Sequence, residues 1–298
     1  MRKQLILISD MEGASGIFDQ HQKELLNGED AWREQGREKM TSDILAVCDA
    51  ANEFGIDEIL YYDGHFAGNP EFNVIKEKLP SNVRYFDVPD RCFDWRRIRG
   101  QAEVEPFGLI TVGQHARNGE KEAYFAHTIQ SPPIKALLVN DLHVAEIGMA
   151  ILNFQRVPYI ANIGCAASER EALELSPKVK HISVKDKGQN WEPNAEETYP
   201  IIKKGVLEAL ENAHKAEPAN ITPPYHFKLD LCKYFYFKDP ESFPWKGSFT
   251  EKVATWEAPS IEMGFELFHY VRENISISEE DKEKLIKERL AGTYDPME

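Results

Sequence analysis

Three short segments place metal-binding side chains just after apolar runs. They are Asp10-Met11-Glu12-Gly13, Asp63-Gly64-His65 and Gly113-Gln114-His115. Carboxylates and imidazoles together suit a borderline divalent cation. Residues two apart on an extended chain point the same way. Asp10 and Glu12 are therefore expected to face one point, as are Asp63 and His65. Glu146 is a fifth donor, expected in the first turn of a helix, where the helix N-terminus favours an ionised carboxylate. Two imidazoles with three carboxylates suit Zn²⁺, with Mn²⁺ or Co²⁺ as lesser options. One catalytic zinc uses about three protein ligands. Five donors fit two metals sharing a carboxylate bridge, for which Asp10 is the candidate, so two Zn²⁺ per subunit are expected. Zinc lowers the pKa of water toward about 7 and polarises an oxygen of the substrate, which is the chemistry of metal-assisted hydrolysis near neutral pH. Any one of these residues alone reads more readily as a cap, a turn or a hydrogen-bonded structural histidine. The coincidence at three strand ends carries the metal reading.

Those ends need an alternating βα frame. Leu5 to Ser9 is a continuous apolar run suited to a strand buried on both faces. Ala31 to Phe54 carries a helical stripe (Ile44, Leu45, Val47, Cys48, Ala51, Phe54) ended by Gly55. Ile59–Tyr62, a strand near Arg84 to Val88, Leu109–Val112, Lys135–Val139 and Tyr159–Ile163 read as further strands. Helices are expected near Glu71 to Glu77, from about Val144 to Phe154, and from Ser168 to Leu175. This order implies an α/β, doubly wound, mainly parallel sheet. Ligands bind such sheets at the carboxyl ends of the strands. Lys185 to Glu197 reads as a polar connection, and Thr198 to Ala213 as a helix. After Pro218, Pro223 and Pro224 the pattern changes. Phe227 to Leu231 alternates as a half-exposed strand, and Ile261–Val271 and Glu279–Leu290 read as helices. The expected division is residues 1–215 as the catalytic α/β domain and 216–298 as a smaller α+β portion.

Composition narrows the partners. The 298 residues carry 35 Lys and Arg against 50 Asp and Glu, a net charge of −15. That balance argues against nucleic acid and acidic membrane surfaces. Arg91, Arg96, Arg97 and Arg99 are interrupted by Phe93, Asp94 and Trp95, and read as a solvated or interface segment. Met1-Arg2-Lys3 before Leu5-Ile6-Leu7-Ile8 mimics a secretion signal, but the apolar run is too short and ends in Asp10. No stretch is long enough to span a bilayer. Cys48, Cys92, Cys165 and Cys232 are widely spaced with no CxxC pair, which fits a reducing cytoplasm.

The chain resembles the zinc-dependent D-aminopeptidase family of the dipeptide-transport-operon type. The resemblance rests on Ser9-Asp10-Met11-Glu12-Gly13-Ala14-Ser15-Gly16, Asp63-Gly64-His65, Gly113-Gln114-His115-Ala116, Ala126-His127-Thr128, and Val139-Asn140 leading to Glu146-Ile147-Gly148. Order and spacing match over roughly residues 3 to 175, and more loosely to about residue 272. The resemblance implies a two-zinc aminopeptidase with Asp10, Glu12, His65, His115 and Glu146 as ligands and His127 as the catalytic histidine. It also implies a closed homo-oligomeric ring whose inner chamber restricts substrates to short peptides or aminoacyl amides. Gly164-Cys165 stands where family members carry Gly-Asp, Ala150 where they carry Asn, and Ala145 where they carry Gly. None is a proposed ligand, so these departures bear on substrate choice and stereochemistry.

His127 suits a proton shuttle or a nucleophile. Without the resemblance it reads as a structural histidine beside Phe125. Asp63 is a candidate to orient His65 or a turn residue, His143 a cap or surface residue, and Cys165 a small buried hydrophobe. His21, His181, His214, His226 and His269 carry no expected chemistry. Two other classes stay open. One is a metal-dependent phosphohydrolase, which requires a phosphate-cradling loop that Gly13 to Gly16 only faintly resembles. The other is a non-catalytic oligomeric protein that keeps the metal site as structure.

Overall fold

The computed structural model describes residues 2–18, 35–68, 72–86, 95–219, 221–240 and 245–298. In chain order its strands are β1 (Gln4–Ser9), β2 (Glu58–Asp63), β3 (Val83–Tyr85), β4 (Gly108–Gln114), β5 (Ile134–Val139), β6 (Leu142–Val144), β7 (Tyr159–Cys165) and β8 (Lys180–Lys185). There follow β9 (Tyr225–Leu231), β10 (Phe235–Phe237), β11 (Gly247–Phe249), β12 (Val253–Ala258) and β13 (Ile275–Ile277). The α-helices are α1 (Arg37–Phe54), α2 (Trp95–Arg99), α3 (Glu146–Asn153), α4 (Glu169–Leu175), α5 (Ala195–Glu211), α6 (Ile261–Glu273) and α7 (Glu279–Ala291). The chain forms two compact units. The larger comprises Met1–Ala116, Glu120–Phe125 and Glu146–Asn220; the smaller comprises Arg117–Gly119, Ala126–Ala145 and Ile221–Glu298.

The larger unit is an α/β layer structure around a six-stranded parallel sheet in the order β3-β2-β1-β4-β7-β8. β1, β2, β4 and β7 are buried along their whole length, as strands covered on both faces must be. Alternate residues serve the two faces. Leu5, Leu7, Tyr61, Ile110 and Val112 join Ile44 and Val47 of α1 and Ile202 and Val206 of α5 in one core. Tyr62 points the other way, onto Trp95 of α2, which in turn meets Phe154 just after α3. Strand order reverses between β1 and β4, and the crevice at such a switch point is where doubly wound sheets hold ligands.

The smaller unit has a five-stranded sheet, β11-β12-β9-β5-β6, whose pairs are antiparallel. β9 alternates buried and exposed residues. Its Phe227 stacks on Trp256 at 5.3 Å and meets Phe265 of α6 edge-on at 5.4 Å. A two-stranded ribbon pairs β10 with β13.

Several expectations change. β5 leaves the parallel sheet: it pairs antiparallel with β9, some ninety positions later, through Leu137↔Leu229 and Val139↔Phe227. The smaller unit therefore takes in residues 126–145, besides those after 220. β8 was not expected, yet Ile182 and Val184 alternate inward and close the sheet edge. No α-helix covers 72–77. Asn73 spends its amide on Asp63 (2.7 Å), and only a 3₁₀ turn at Lys76–Lys78 follows. The described part of the first helix starts at Arg37, and residues 31–34 of its expected range lie outside the described residues. So do Glu71, Asp87, Val88, Arg91, Cys92, Phe93, Asp94 and His21. Cys48, Cys165 and Cys232 are buried free thiols. Among the described residues no helix is long and apolar enough to cross a membrane.

One buried acid makes stability depend on pH. Asp43 of α1 is fully buried, and one carboxylate oxygen accepts the Ser15 amide at 2.9 Å. Burial pushes its pKa from 3.8 to about 6, against the opposing pull of Ser15 and Lys185. The folded chain thus holds this proton more tightly than the unfolded chain. The stability it contributes is complete below about pH 4 and is lost as pH rises through 6. At about 1.4 kcal/mol per pH unit, the gap approaches 3 kcal/mol. Asp43→Asn removes the titration. From pH 4 to pH 7 its unfolding free energy is expected to gain roughly 2–3 kcal/mol relative to the unmodified protein, read by urea denaturation. A difference that does not change with pH would contradict the assignment.

Candidate functional site

β1, β2 and β4 lie side by side, so whatever follows their last residues is brought to one edge. The five expected donors all belong to the larger unit. β1 ends at Ser9, and Asp10 to Gly16 form a compact turn segment rather than further strand. The same-face argument for Asp10 and Glu12 therefore does not hold. The turn brings them together instead: Asp10 N donates to Val112 O and Gly13 N to Gly113 O, both at 2.8 Å. Gly113 has φ of 72°, and a Cβ there would stand 2.0 Å from the Asp10 carbonyl oxygen. Only glycine lets β4 approach the turn this closely. His65 opens a 3₁₀ turn, His65–Gly68, directly after β2. His115 follows β4, and Glu146 opens α3.

Donor atoms of Asp10, Glu12 and His115 all lie within 4.8 Å of one another. His115 Nε2 stands 3.3 Å from Asp10 Oδ2 and 3.3 Å from Glu146 Oε2. His65 Nε2 stands 3.4 Å from Glu12 Oε1. His65 thus meets Glu12, His115 meets both Asp10 and Glu146, and Asp10, Glu12 and His115 converge on one point. His65, Asp10 and His115 are buried, and Glu12 and Glu146 are half-buried.

Hydrogen bonds fix which ring nitrogen faces the cluster. Asn73 Nδ2 donates to Asp63 Oδ1 and to the His65 carbonyl, both at 2.8 Å. Its Oδ1 is then the acceptor for His65 Nδ1–H at 3.1 Å. His115 Nδ1 donates to the Ala116 carbonyl at 2.8 Å. Both imidazoles therefore present Nε2 to the carboxylates, the arrangement expected of ligating histidines whose other N–H is held. Asp63 does not orient His65 directly, as the sequence suggested. Asn73 stands between them and accepts the ring proton. Nothing local marks Asn73, whose part depends on contacts with residues 63 and 65.

The electrostatics of the site favour a cation. Burial, then Glu12, push the Asp10 carboxyl well above its ordinary value, with His115 opposing. Burial alone would depress both imidazoles. Glu12, followed by Asp10 and Asn73, instead raises His65 to about 10. Glu146, followed by Asp10 and Glu12, raises His115 well above 6.5. Three carboxylates crowded into a low-dielectric site call for positive charge beside them. Asp10 Oδ2 is also buried without a hydrogen-bond partner, which is costly unless something else binds it. A divalent cation meets both needs, and the donor set of oxygen and imidazole nitrogen fits one.

His127 lies in the smaller unit. There Thr128 Oγ1 hydrogen-bonds His143 Nε2 at 3.0 Å and accepts the Asn118 amide at 3.3 Å. Arg117 donates to the His143 carbonyl at 2.8 Å. His143 sits on β6 rather than on the helix of Glu146, and its Nε2 meets Thr128, so of the two expected roles, cap or surface residue, it does not serve as a cap of that helix.

Asn73→Ala tests the hydrogen-bond relay. Loss of a partner that orients a ligating histidine typically costs 10–100-fold in metal affinity. That drop is expected in a competition titration against a chromophoric chelator. Affinity within twofold of the unmodified protein would show that His65 needs no such support.

Among curated protein sequences none matches. The fold is similar to that of a solved structure, the zinc-dependent D-aminopeptidase DppA from Bacillus subtilis, described as a self-compartmentalizing protease. The TM-score is 0.78 at 20% identity, covering 91% of this chain and 97% of that one. The family model described as D-aminopeptidase (peptidase M55) matches residues 4–269. That match begins at the first residue of β1, runs into α6, and spans Asp10, Glu12, His65, His115, His127 and Glu146. By sequence over most of its length, the chain belongs to the D-aminopeptidase family.

Proposed function

We propose that this protein is a di-zinc aminopeptidase that releases an N-terminal D-residue from short peptides or aminoacyl amides. The observation that carries this reading is the set of close contacts among the five donors, with His65 on Glu12, His115 on both Asp10 and Glu146, and Asp10, Glu12 and His115 around one point. Asp10 is the carboxylate we assign as the bridge, and five donors exceed the needs of one catalytic zinc. Charge favours two ions as well. Three carboxylates and two neutral imidazoles carry −3, and two divalent cations carry +4. One net positive charge then remains for an oxygen that gains negative charge as a carbonyl is attacked.

When bound, zinc supplies Lewis acidity that polarises a peptide carbonyl and acidifies water near neutral pH. The protein's own groups do the rest. Asn73 and the Ala116 carbonyl hold the two imidazoles in register. Buried Asp10 and His115 keep the site dry on their side. His127, carried by the family resemblance at Ala126-His127-Thr128, moves the proton between attacking water and departing amine. The acidic balance of the chain favours a substrate with a free ammonium.

The phosphohydrolase alternative loses support in the turn after β1. A phosphate cradle needs free backbone amides. Gly13 N donates to Gly113 O, Ala14 N to Met11 O, and Ser15 N to Asp43. For assembly we infer a closed homo-oligomer, supported by the family resemblance and by the self-compartmentalizing character of the similar protein.

A panel of D- and L-aminoacyl p-nitroanilides and dipeptides, with p-nitrophenyl phosphate as control, tests the proposal on zinc-loaded protein. D-aminoacyl substrates are expected to be hydrolysed and the phosphate ester left intact. Phosphate release without any aminoacyl hydrolysis would overturn the reading.

A further inference from the structure

We propose that Lys185 is a positioning residue of the metal centre: its ammonium fixes the turn that carries Glu12. This inference rests on the metallopeptidase reading above.

Lys185 is the last residue of β8, at the far edge of the parallel sheet, and its side chain is fully buried. Buried lysines are rare and ask for a reason. An ammonium has three N–H groups. All three are accounted for here by backbone carbonyls of one short segment: Glu12 O at 2.6 Å, Ala14 O at 3.0 Å, and Ile17 O. The rings of Phe18, Tyr124 and Phe125 lie 5.4–5.7 Å from the same nitrogen. They add a second, weaker hold on the charge.

The turn is held from other sides as well. Asp43 accepts the Ser15 amide at 2.9 Å, and Thr198 Oγ1 donates to Ser15 Oγ at 2.7 Å. These contacts set the middle of the turn. The peptide group between Glu12 and Gly13 is held from both sides: its N–H donates to Gly113 O at 2.8 Å, and its carbonyl accepts from Lys185, the only side chain among these contacts to bind it. Rotating the Glu12 peptide plane redirects the Glu12 Cα–Cβ bond and changes its spacing from Asp10. A shift of about 1 Å in such a constellation is enough to weaken it severely. A core-filling role would be met by methionine, without the cost of burying a charge. The carbonyl triad is what methionine cannot supply.

The test is zinc affinity of Lys185→Met and Lys185→Gln, measured by chelator competition well below each unfolding midpoint. Lys185→Met is expected to bind zinc about 10–100-fold more weakly. Lys185→Gln keeps two N–H donors and is expected to fall between Met and Lys. A purely structural role lowers the unfolding temperature and leaves the affinity of the folded protein within twofold, and that result would overturn the proposal. Should neither variant fold, hydrogen exchange of the unmodified protein decides. Stripping zinc is expected to speed exchange in a peptide covering residues 12–18, and unchanged exchange there overturns the proposal. If the unmodified protein itself fails to bind zinc, the metallopeptidase reading fails instead.

Discussion

His115→Ala is expected to lower kcat/KM for aminoacyl hydrolysis by about 10⁴-fold or more, together with loss of bound zinc. The magnitude follows from the position of the ring. Its Nε2 lies 3.3 Å from both Asp10 Oδ2 and Glu146 Oε2, so it is the donor that meets both of these carboxylates. Removing it leaves carboxylates facing one another with no nitrogen between them. A Lewis acid contributes several kcal/mol to this kind of reaction, and each 1.36 kcal/mol is tenfold in rate. Zinc content measured beside kcat/KM checks the cause. Circular dichroism should show the sheet retained, because β4 is buried throughout and paired on both sides independently of this side chain. A variant that keeps full zinc and most of its activity would remove His115 from the site.

His127→Ala is expected to separate the two properties. Zinc stays bound at unchanged stoichiometry, and kcat falls by about 10²–10⁴-fold, the range for loss of a general acid–base group. His127 is the catalytic histidine implied by the family resemblance, not one of the five expected ligands. Its neighbours are built to hold it still: Thr128 is tied to His143 and Asn118, and Phe125 and Ile129 on either side have φ of 55° and 56°. Bulky residues seldom adopt that conformation, and when they do it commonly accompanies function. If kcat is unchanged in His127→Ala, proton transfer belongs to another residue.

The two variants also separate what was legible in the sequence from what was not. β1, β2, β4 and β7 could be read because their apolar runs are continuous, as strands covered on both faces require. Four of the five donors could be named because three of those runs lead into acid or imidazole, and Glu146 because it opens a helix. The reason given for Asp10 and Glu12 did not survive, since the two meet through a turn held by Gly13 and Gly113 rather than by strand alternation. β5 looked like one more buried parallel strand. Its partner, β9, is remote in sequence, and periodicity says nothing about partners. β8 is hidden in the sequence because Lys180, His181 and Lys185 make the segment polar. Lys185 spends its charge on carbonyls that only the folded turn supplies. Asn73 left no local trace at all, because orienting a histidine eight residues away is a property of the loop and of no single residue.

Anomalous diffraction at the zinc edge, from crystals of the zinc-loaded protein, tests the central claim most directly. Two peaks are expected, one toward His65 and Glu12 and one toward His115 and Glu146, both within bonding reach of Asp10 at about 2.0–2.2 Å. Zinc bound elsewhere, or no peak beside these five side chains, would contradict it.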